Sequence, residues 1–151
     1  MNRPVLFCYD GSDGSKTALR AAAELIKPAD AVMLVVWTSA SVQLARSGSF
    51  IVAVPNEGEF DDQEAAIAHQ IAEEAAAGAR RLGYDASGRI AQATESVAKT
   101  IDGVAQEINA GLIVCGQRGR GAVRSALLGS VSHALASHTK RPLLIAPQRP
   151  A

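Results

Sequence analysis

The chain has 151 residues, of which 48% are hydrophobic and 4% aromatic, and its 15 basic and 15 acidic residues give a formal net charge of zero. This length suits one domain with its own core, so we expect a single domain over residues 1–151. The balanced charge argues against a general attraction to nucleic acid or membrane surfaces. No hydrophobic run approaches the roughly 20 residues that span a bilayer. The first residues lead into a predicted strand without a signal peptide, so we expect a soluble, cytoplasmic protein.

The first part of the chain alternates predicted strands and helices. The hydrophobic residues 5–9 predict a strand, and the turn at residues 10–14 precedes a helix that has its hydrophobic residues at helical spacing. Pro28 is expected to end this helix, because the residue before a proline disfavours the helical conformation. The continuous hydrophobic run at residues 31–37 predicts a second strand, covered on both faces. Three side chains are suited to cap the helix: Ser12, Asp13 and Ser15.

Residues 39–61 have the least regular pattern, and we interpret them as a loop with an extended or helical fragment at residues 50–54. A long helix is predicted over residues 61–82, with acids at its start and arginines at its end, which complements the helix dipole. Gly83 is a natural stop. The predicted buried stripe of this helix consists of Ile67, Ile71, Ala75, Ala79 and Leu82.

The second half of the chain adds three predicted strands, at residues 86–93, 112–115 and 142–146, and an amphipathic helix between the first two. That helix is marked by Val97, Ile101, Val104 and Ile108. Strands that alternate with helices predict an α/β fold, with a single open parallel five-stranded sheet and helices on both faces, in the Rossmann-like manner.

Residues 115–132, read as CGQRGRGAVRSALLGSVS, combine a strand end, a glycine-rich loop and a predicted helix start. Glycine lets backbone N–H groups approach a ligand closely, and a helix N-terminus offers free N–H donors and partial positive charge. The last acid of the chain is Glu107, so this loop with its arginines lies in a basic segment. The pattern favours a phosphate-binding loop, although a glycine-rich surface turn on a solvated basic face remains an alternative.

The spacing of these glycines is more specific. Gly116, Gly119, Gly129 and Ser130 fit the pattern G-x2-G-x9-G-[ST], by which the chain resembles the universal stress protein family of the ATP-binding type. The chain start, VLFCYDGSDGSKTAL, resembles the first strand and the Asp-bearing turn of that family, and the resemblance extends from residue 5 to residue 147. It implies the strand order 3-2-1-4-5 and a bound ATP, with Mg²⁺.

Ligands of open parallel sheets bind beyond the carboxyl ends of the strands, where the strand order reverses. In the implied order this point lies between the first and fourth strands, so the Asp10 turn and the glycine loop would face one crevice. The resemblance implies that the phosphates and ribose contact backbone N–H groups and a hydroxyl of the loop and helix start: Gly116, Gly119, Gly129, Ser130, Val131 and Ser132. Ser130 would alternatively serve as the N-cap of the last helix.

Four further residues are candidate contacts for the nucleotide. Arg120 would pair with a phosphate, or else be a solvent-exposed arginine. By the resemblance, Asp10 would lie near the ribose or bind the magnesium ion, with an Asx-turn as the alternative. Val36 would contact adenine or belong to the core, and Cys115 would line the pocket or pack in the core.

The resulting prediction is an ATP-binding, nucleotide-dependent regulatory or stress-response module. The residues show no convincing nucleophile and base, no Walker A loop and no metal-binding pattern of histidines, so no catalytic residue is predicted and ATP hydrolysis should be slow at most. We also expect a homodimer through the edge strand at residues 142–146, with Leu143 and Ile145 near the interface. A partner-binding dimer without nucleotide, a slow ATPase and a nucleotidyl-transfer enzyme remain alternatives.

Overall fold

The computed structural model describes residues 3–48, 54–120 and 128–148. Five strands form one parallel sheet in the order β3-β2-β1-β4-β5, which confirms the predicted fold class and strand order. The strands are β1 Val5–Cys8, β2 Asp30–Thr38, β3 Asp85–Ala93, β4 Leu112–Gly116 and β5 Leu143–Ala146. The helices of the described residues are α1 Asp13–Leu25, α2 Ala40–Arg46, α3 Glu57–Arg81, α4 Val97–Glu107 and α5 Ser130–His138.

Helix α1 begins where the sequence predicts it and ends earlier. The Ser12 side chain accepts a hydrogen bond from the Ser15 N–H, so Ser12 is the N-cap among the three candidates. The helix ends at Leu25, and Ile26 is already extended. Pro28 therefore follows the helix end rather than marking it.

The irregular segment predicted at residues 39–61 is largely helical where it is described. Ser39 caps α2 by accepting a hydrogen bond from the Val42 N–H. Helix α3 starts at Glu57, four residues before the predicted start, directly after Asn56, which has a left-handed backbone with φ of 55°. The predicted fragment at residues 50–54 lies outside the described residues except for Val54.

The two faces of the sheet bury alternate residues, as a strand requires. Phe7 and Val114 pack in the cluster that includes residues of α1 and α3, whereas Leu6 and Ile113 pack in the cluster that includes residues of α4 and α5. Both faces are therefore covered, which explains the continuous hydrophobic runs of the central strands.

The predicted buried stripe of α3 is partly wrong. Ile67 and Leu82 are 51% and 42% exposed, and the face that packs on the sheet is made of alanines: Ala68, Ala72, Ala75, Ala76 and Ala79. These small side chains let the helix approach the sheet closely: a Cβ added to Gly88 of β3 would lie 2.9 Å from the Ala72 carbonyl oxygen.

Across residues 3–48, 54–120 and 128–148, none of the helices combines the length and the hydrophobicity that crossing a bilayer requires.

Candidate functional site

The carboxyl ends of β1 and β4 lie side by side, and the turns that follow them are joined by one carboxylate. Asp10 Oδ2 accepts a hydrogen bond of 3.0 Å from the Arg120 N–H, across 110 residues of chain. Asp10 Oδ1 accepts one of 2.9 Å from the Ser12 N–H, which is the bond of an Asx-turn. The predicted Asx-turn is therefore present, and the same side chain also fixes the glycine loop.

The electrostatics of Asp10 follow from these contacts. Partial burial by itself raises the pKa of the carboxyl, but hydrogen bonds from Ser12, from the Arg120 N–H and from Ser15 outweigh that effect and hold the pKa below its usual value. Asp10 is accordingly a carboxylate at neutral pH, placed at the point where the two turns meet.

Two glycines of the loop are required by the packing of the chain itself. A Cβ added to Gly116 would lie 2.7 Å from the Gly14 carbonyl oxygen, and a Cβ added to Gly119 would lie 2.7 Å from Asp10 Oδ2. At Gly129 the nearest atom would be the Gln117 carbonyl oxygen at 3.4 Å, with an ordinary backbone φ of −67°. Among the described residues, backbone therefore excludes a side chain at Gly116 and the Asp10 carboxylate opposes one at Gly119, whereas Gly129 meets only ordinary contact distances.

Helix α5 begins at the cavity without a capping side chain. Its N-cap is Gly129, and Ser130 is its first helical residue and exposed, so the alternative that Ser130 is the N-cap is wrong. Serine side chains cap three of the other described helices, namely α1, α2 and α4. The first N–H groups of α5 have no partner within the helix, which leaves donors and partial positive charge at this position.

The hydroxyl of Ser132 is committed to the loop. It donates to the Gln117 carbonyl oxygen at 2.8 Å and to the Gly129 carbonyl oxygen at 3.1 Å, and the residue is 3% exposed. In this arrangement its side chain holds the glycine loop on α5, so only its backbone N–H remains suited to a ligand.

Two arginines of the loop have different surroundings. The Nε atom of Arg118 is buried without a hydrogen-bond partner among the described residues. The Arg120 side chain is exposed and its guanidinium lies beside Gly11. A Cβ added to Gly11 would be 3.1 Å from Arg120 Nη2 and 3.7 Å from Ile71 Cγ2 of α3. Arg118 is not among the site residues predicted from the sequence. The feature that marks it as a candidate contact is its buried Nε, and that burial is visible only in the folded structure.

All ten predicted site residues line one cavity of about 870 Å³. They are Asp10, Val36, Cys115, Gly116, Gly119, Arg120, Gly129, Ser130, Val131 and Ser132. Lining residues that the sequence analysis did not propose include Arg118, Tyr9, Trp37, Val97, Ile101 and Ile71. The cavity thus joins a polar end at the two turns to hydrophobic walls on β2, α3 and α4.

Val36 and Cys115 lie where the core meets the cavity, and the contact of Val36 with adenine stays a prediction. Val36 is partly buried against the α4–α5 side of the core, and Cys115 belongs to that core at 4% exposure, yet both line the cavity. Burial raises the pKa of the Cys115 thiol to about 11, so it is uncharged at neutral pH.

Within the described ranges, no three side chains of histidine, cysteine, aspartate or glutamate cluster in a way that would hold a metal ion. Asp10 therefore stays the single predicted contact for Mg²⁺.

Comparison with known proteins identifies the family. Residues 1–147 match the family model described as the universal stress protein family. A universal stress protein of Mycobacterium tuberculosis is 33% identical over 160 aligned positions, which cover 99% of this chain and 49% of that protein. The chain thus spans about half the length of the curated relatives that it matches.

Solved structures share the fold. A universal stress family protein from Burkholderia pseudomallei has a TM-score of 0.72 at 24% identity, covering 97% of this chain and 96% of its own. A universal stress protein in complex with cAMP has a TM-score of 0.70 at 22% identity, covering 98% and 99%. A protein of the same family from Archaeoglobus fulgidus, in complex with dAMP, has a TM-score of 0.64 at 21% identity, covering 94% and 95%.

Proposed function

This chain belongs to the universal stress protein family, and we propose that it binds ATP in the cavity between the Asp10 turn and the start of α5. It would act as a nucleotide-dependent regulatory module in a stress response. The observation that carries the proposal is the N-terminus of α5, which has no side-chain cap and opens into the same cavity as the buried Arg118 Nε, an atom with no hydrogen-bond partner in the described part of the chain.

The polar end of the cavity suits phosphate. A helix N-terminus binds anions through free N–H groups and its dipole, and here Gly129 leaves those groups without a side-chain acceptor. A buried donor without a partner costs free energy, so an anion that reaches Arg118 would relieve that cost. Arg120 adds a second guanidinium at the rim. Ser130, exposed on the first turn of α5, adds a hydroxyl.

The hydrophobic end suits a base. Val36, Val97 and Ile101 line the wall of the cavity on the α4 side of the sheet. A volume of about 870 Å³ falls within the roughly 300–1,000 Å³ of small-molecule sites. The likeness to solved structures in complex with cAMP and dAMP supports an adenine base, and the glycine spacing with Ser130 supports the triphosphate.

Asp10 fits the ribose or Mg²⁺ role. Each of its oxygens accepts one backbone hydrogen bond, and an ionised carboxylate has about four acceptor positions. Because its pKa is held low, the side chain is ionised and suits a ribose hydroxyl or a cation that accompanies the phosphates, either of which would compete with the Ser12 and Ser15 side chains that also lower this pKa.

We expect binding without efficient turnover. Fast phosphoryl transfer requires a positioned nucleophile and a metal-held phosphate chain. The carboxylates among the described lining residues are Asp10 and Glu64: Asp10 is joined to the glycine loop, whereas Glu64 lies on α3. Steady-state hydrolysis of MgATP should stay below about 1 per second, the lower end of typical enzymes. A turnover within the usual enzymatic range of roughly 1–1000 per second would contradict the binding-module proposal and support an enzyme.

The single tryptophan of the chain tests binding directly. Trp37 is the only tryptophan in the sequence and lines the cavity, so its emission reports occupancy. Titration with MgATP should change Trp37 fluorescence in a saturable manner, and inorganic triphosphate at equal concentration should bind more weakly because it lacks the base. An unchanged spectrum together with no nucleotide released from denatured protein would contradict the proposal.

A symmetric homodimer through β5 completes the proposal. Strand β5 lies at the sheet edge. The carbonyl oxygens of Pro142 and Ala146 accept from β4, so by alternation the backbone groups of Leu143 and Ile145 point away from the sheet. Exposed strand edges tend to pair, and a two-fold axis would bring two such edges together.

The edge geometry provides a matched test of the dimer. Ile145→Pro removes an outward-pointing N–H, whereas Ile145→Ala keeps that N–H and loses a comparable amount of packing. We expect wild type and Ile145→Ala to sediment as dimers and Ile145→Pro as a folded monomer. A wild-type monomer at all concentrations, or a dimeric Ile145→Pro, would contradict pairing through β5.

A further inference from the structure

Two thiols lie side by side on the wall of the cavity. Cys8 is the last residue of β1, and Cys115 is the penultimate residue of β4. The two parallel strands pair with Phe7 opposite Val114, so one step further along both strands Cys8 is aligned with Cys115.

Both side chains are on the same face of the sheet. Alternation along a strand places Cys8 with Leu6 and Cys115 with Ile113, and all four belong to or pack against the core cluster on the α4–α5 side. Neighbouring strands are about 4.8 Å apart, within the roughly 4.4–6.8 Å between Cα atoms that disulfides span. The usual spacing of neighbouring strands is therefore compatible with a covalent bond between the two cysteines.

The cavity gives a reagent access to this pair. Cys8 and Cys115 both line it, Cys8 half-buried and Cys115 buried. Cys8 is the more exposed of the two residues, so a small molecule that enters the cavity would meet Cys8 first, with Cys115 beside it as the second thiol.

The surroundings favour uncharged sulfur. Burial, then the neighbouring Cys115 and Asp10, raise the pKa of the Cys8 thiol well above its usual value, and burial raises the pKa of Cys115. A thiolate–metal complex would add negative charge beside Asp10. A dithiol and a disulfide are both neutral, so the site tolerates each of these two states. Because the attacking species is the thiolate, the raised pKa values slow the exchange at neutral pH, and its rate should increase as the pH rises.

We propose that Cys8 and Cys115 form a reversible disulfide when a small-molecule disulfide enters the cavity, and that this bond joins the bases of the two turns that frame the site. The reaction is a thiol–disulfide exchange in two steps. The Cys8 sulfur, after losing its proton, attacks one sulfur of the reagent and expels the other as a thiolate, which takes up a proton. The Cys115 sulfur then loses its proton and attacks the Cys8 sulfur of the mixed disulfide, expelling the second thiol, so two cysteines are oxidised and one reagent disulfide is reduced.

If the cavity binds nucleotide as proposed above, the disulfide would also change that binding. Asp10 follows Cys8 by two residues, and Gly116 follows Cys115 directly. Disulfides most often span about 5.5–6 Å between Cα atoms, so the bond would change the spacing of the two strand ends and shift both turns, and the oxidised protein should bind nucleotide more weakly. By linkage, bound nucleotide should disfavour the disulfide at equilibrium, and because nucleotide would occupy the cavity that both cysteines line, it should also slow the reaction with the reagent.

The wild-type protein decides whether the bond forms. Reduced protein is incubated with 2-hydroxyethyl disulfide, then denatured, counted for free thiols and mapped by mass spectrometry after proteolysis. We expect both thiols to disappear, a chain lighter by two hydrogen atoms, a Cys8–Cys115 cross-linked peptide, and full recovery of thiols with dithiothreitol. Two thiols that stay titratable, a product that stops at the mixed disulfide, or links between chains would overturn the proposal.

Two single variants identify the order of attack. Cys115→Ser should accumulate the mixed disulfide on Cys8, because the second thiol is missing. Cys8→Ser should react more slowly, because Cys115 is buried. Circular dichroism confirms that each variant is folded, and equal rates in the two variants would contradict Cys8 as the first thiol.

Nucleotide provides the last comparison. At an ATP concentration about 100 times its Kd, the fraction of empty cavity falls about a hundredfold, and the rate of disulfide formation should fall with it. If the protein binds ATP but the rate is unchanged, the coupling is contradicted. If it does not bind ATP, the proposed function fails, while the cross-link in nucleotide-free protein still decides the disulfide.

Discussion

Asp10 joins the two turns of the site by accepting one N–H from each of them. Because its folded-state pKa lies below the unfolded value of about 3.9, the stability that its ionised form contributes is fully present above the unfolded pKa. This contribution is lost as the pH falls through the lowered folded-state pKa. Stability should therefore depend on Asp10 at neutral pH and not in strong acid.

The variant Asp10→Asn tests this linkage. Hydrogen bonds to a charged group contribute about 1.5–3 kcal/mol, so we expect a loss of about that size in the free energy of unfolding at pH 7, measured by urea unfolding. The difference in the free energy of unfolding between Asp10→Asn and wild type should decrease as the pH falls through the acid range. Asp62→Asn, at an exposed position of α3, is the control and should show no such gap. A gap for Asp10→Asn that does not depend on pH would contradict the role of its charge.

Two glycines of the loop should respond differently to alanine. Gly116→Ala places a Cβ against the Gly14 carbonyl oxygen, whereas Gly129→Ala meets ordinary contact distances. Overpacking costs about 1–3 kcal/mol, and each kcal/mol shifts Tm by about 2–4 °C at this size. Thermal unfolding should therefore show a lower Tm for Gly116→Ala and a near wild-type Tm for Gly129→Ala. The reverse order would contradict the close approach of β4 and α1.

At the scale of residues, the sequence predicted the members of the site better than their roles. The glycine spacing located residues that line one cavity, but it did not distinguish Gly116, which the protein itself requires, from Gly129, which it does not. Arg118 was not proposed as a contact, because the burial of its Nε depends on the fold around it. Ser132 was proposed for the ligand, yet its hydroxyl binds the loop.

At the scale of the element, two serines on the first turn of α5 have different roles. Ser132 stabilises the structure, and Ser130 belongs to the proposed binding site. Ser132→Ala removes the one hydroxyl donor that the Gln117 and Gly129 carbonyl oxygens share and that holds the loop on the helix, so we expect about 1 kcal/mol of lost stability in urea unfolding. Ser130→Ala changes an exposed side chain and should leave stability unchanged. Equal losses of stability in both variants would contradict this division.

The elements themselves were predicted well where hydrophobic residues are large, and poorly where they are small. All five strands lie within about one residue of their predicted bounds. The stripe of α3 was misplaced because Ile67 and Leu82 outweigh alanines in any hydrophobicity pattern, whereas close packing on β3 selects Ala72 and its small neighbours. Helix α2 was not recognised as such, because a helix of seven residues gives little periodicity.

At the scale of the molecule, alternating strands and helices predicted the parallel sheet, while the strand order came from the family resemblance. The order β3-β2-β1-β4-β5 makes β1 and β4 neighbours, and this adjacency has two effects. It brings the Asp10 turn to the glycine loop, and it aligns Cys8 with Cys115. The first effect underlies the proposed ATP site, and the second would make that site sensitive to oxidation.

The most direct test of the account is calorimetric titration of MgATP into four folded proteins: wild type, Ser130→Ala, Gly129→Val and Ser137→Ala. We expect saturable binding by wild type and by Ser137→Ala, an exposed change later in α5. Ser130→Ala should lose roughly ten- to a hundredfold in affinity, since a hydrogen bond to a charged partner contributes about 1.5–3 kcal/mol. Gly129→Val should bind more weakly still, because it adds bulk at the start of α5. Absence of binding by correctly folded wild type, or equal affinity in all four proteins, would contradict a nucleotide site at the start of α5.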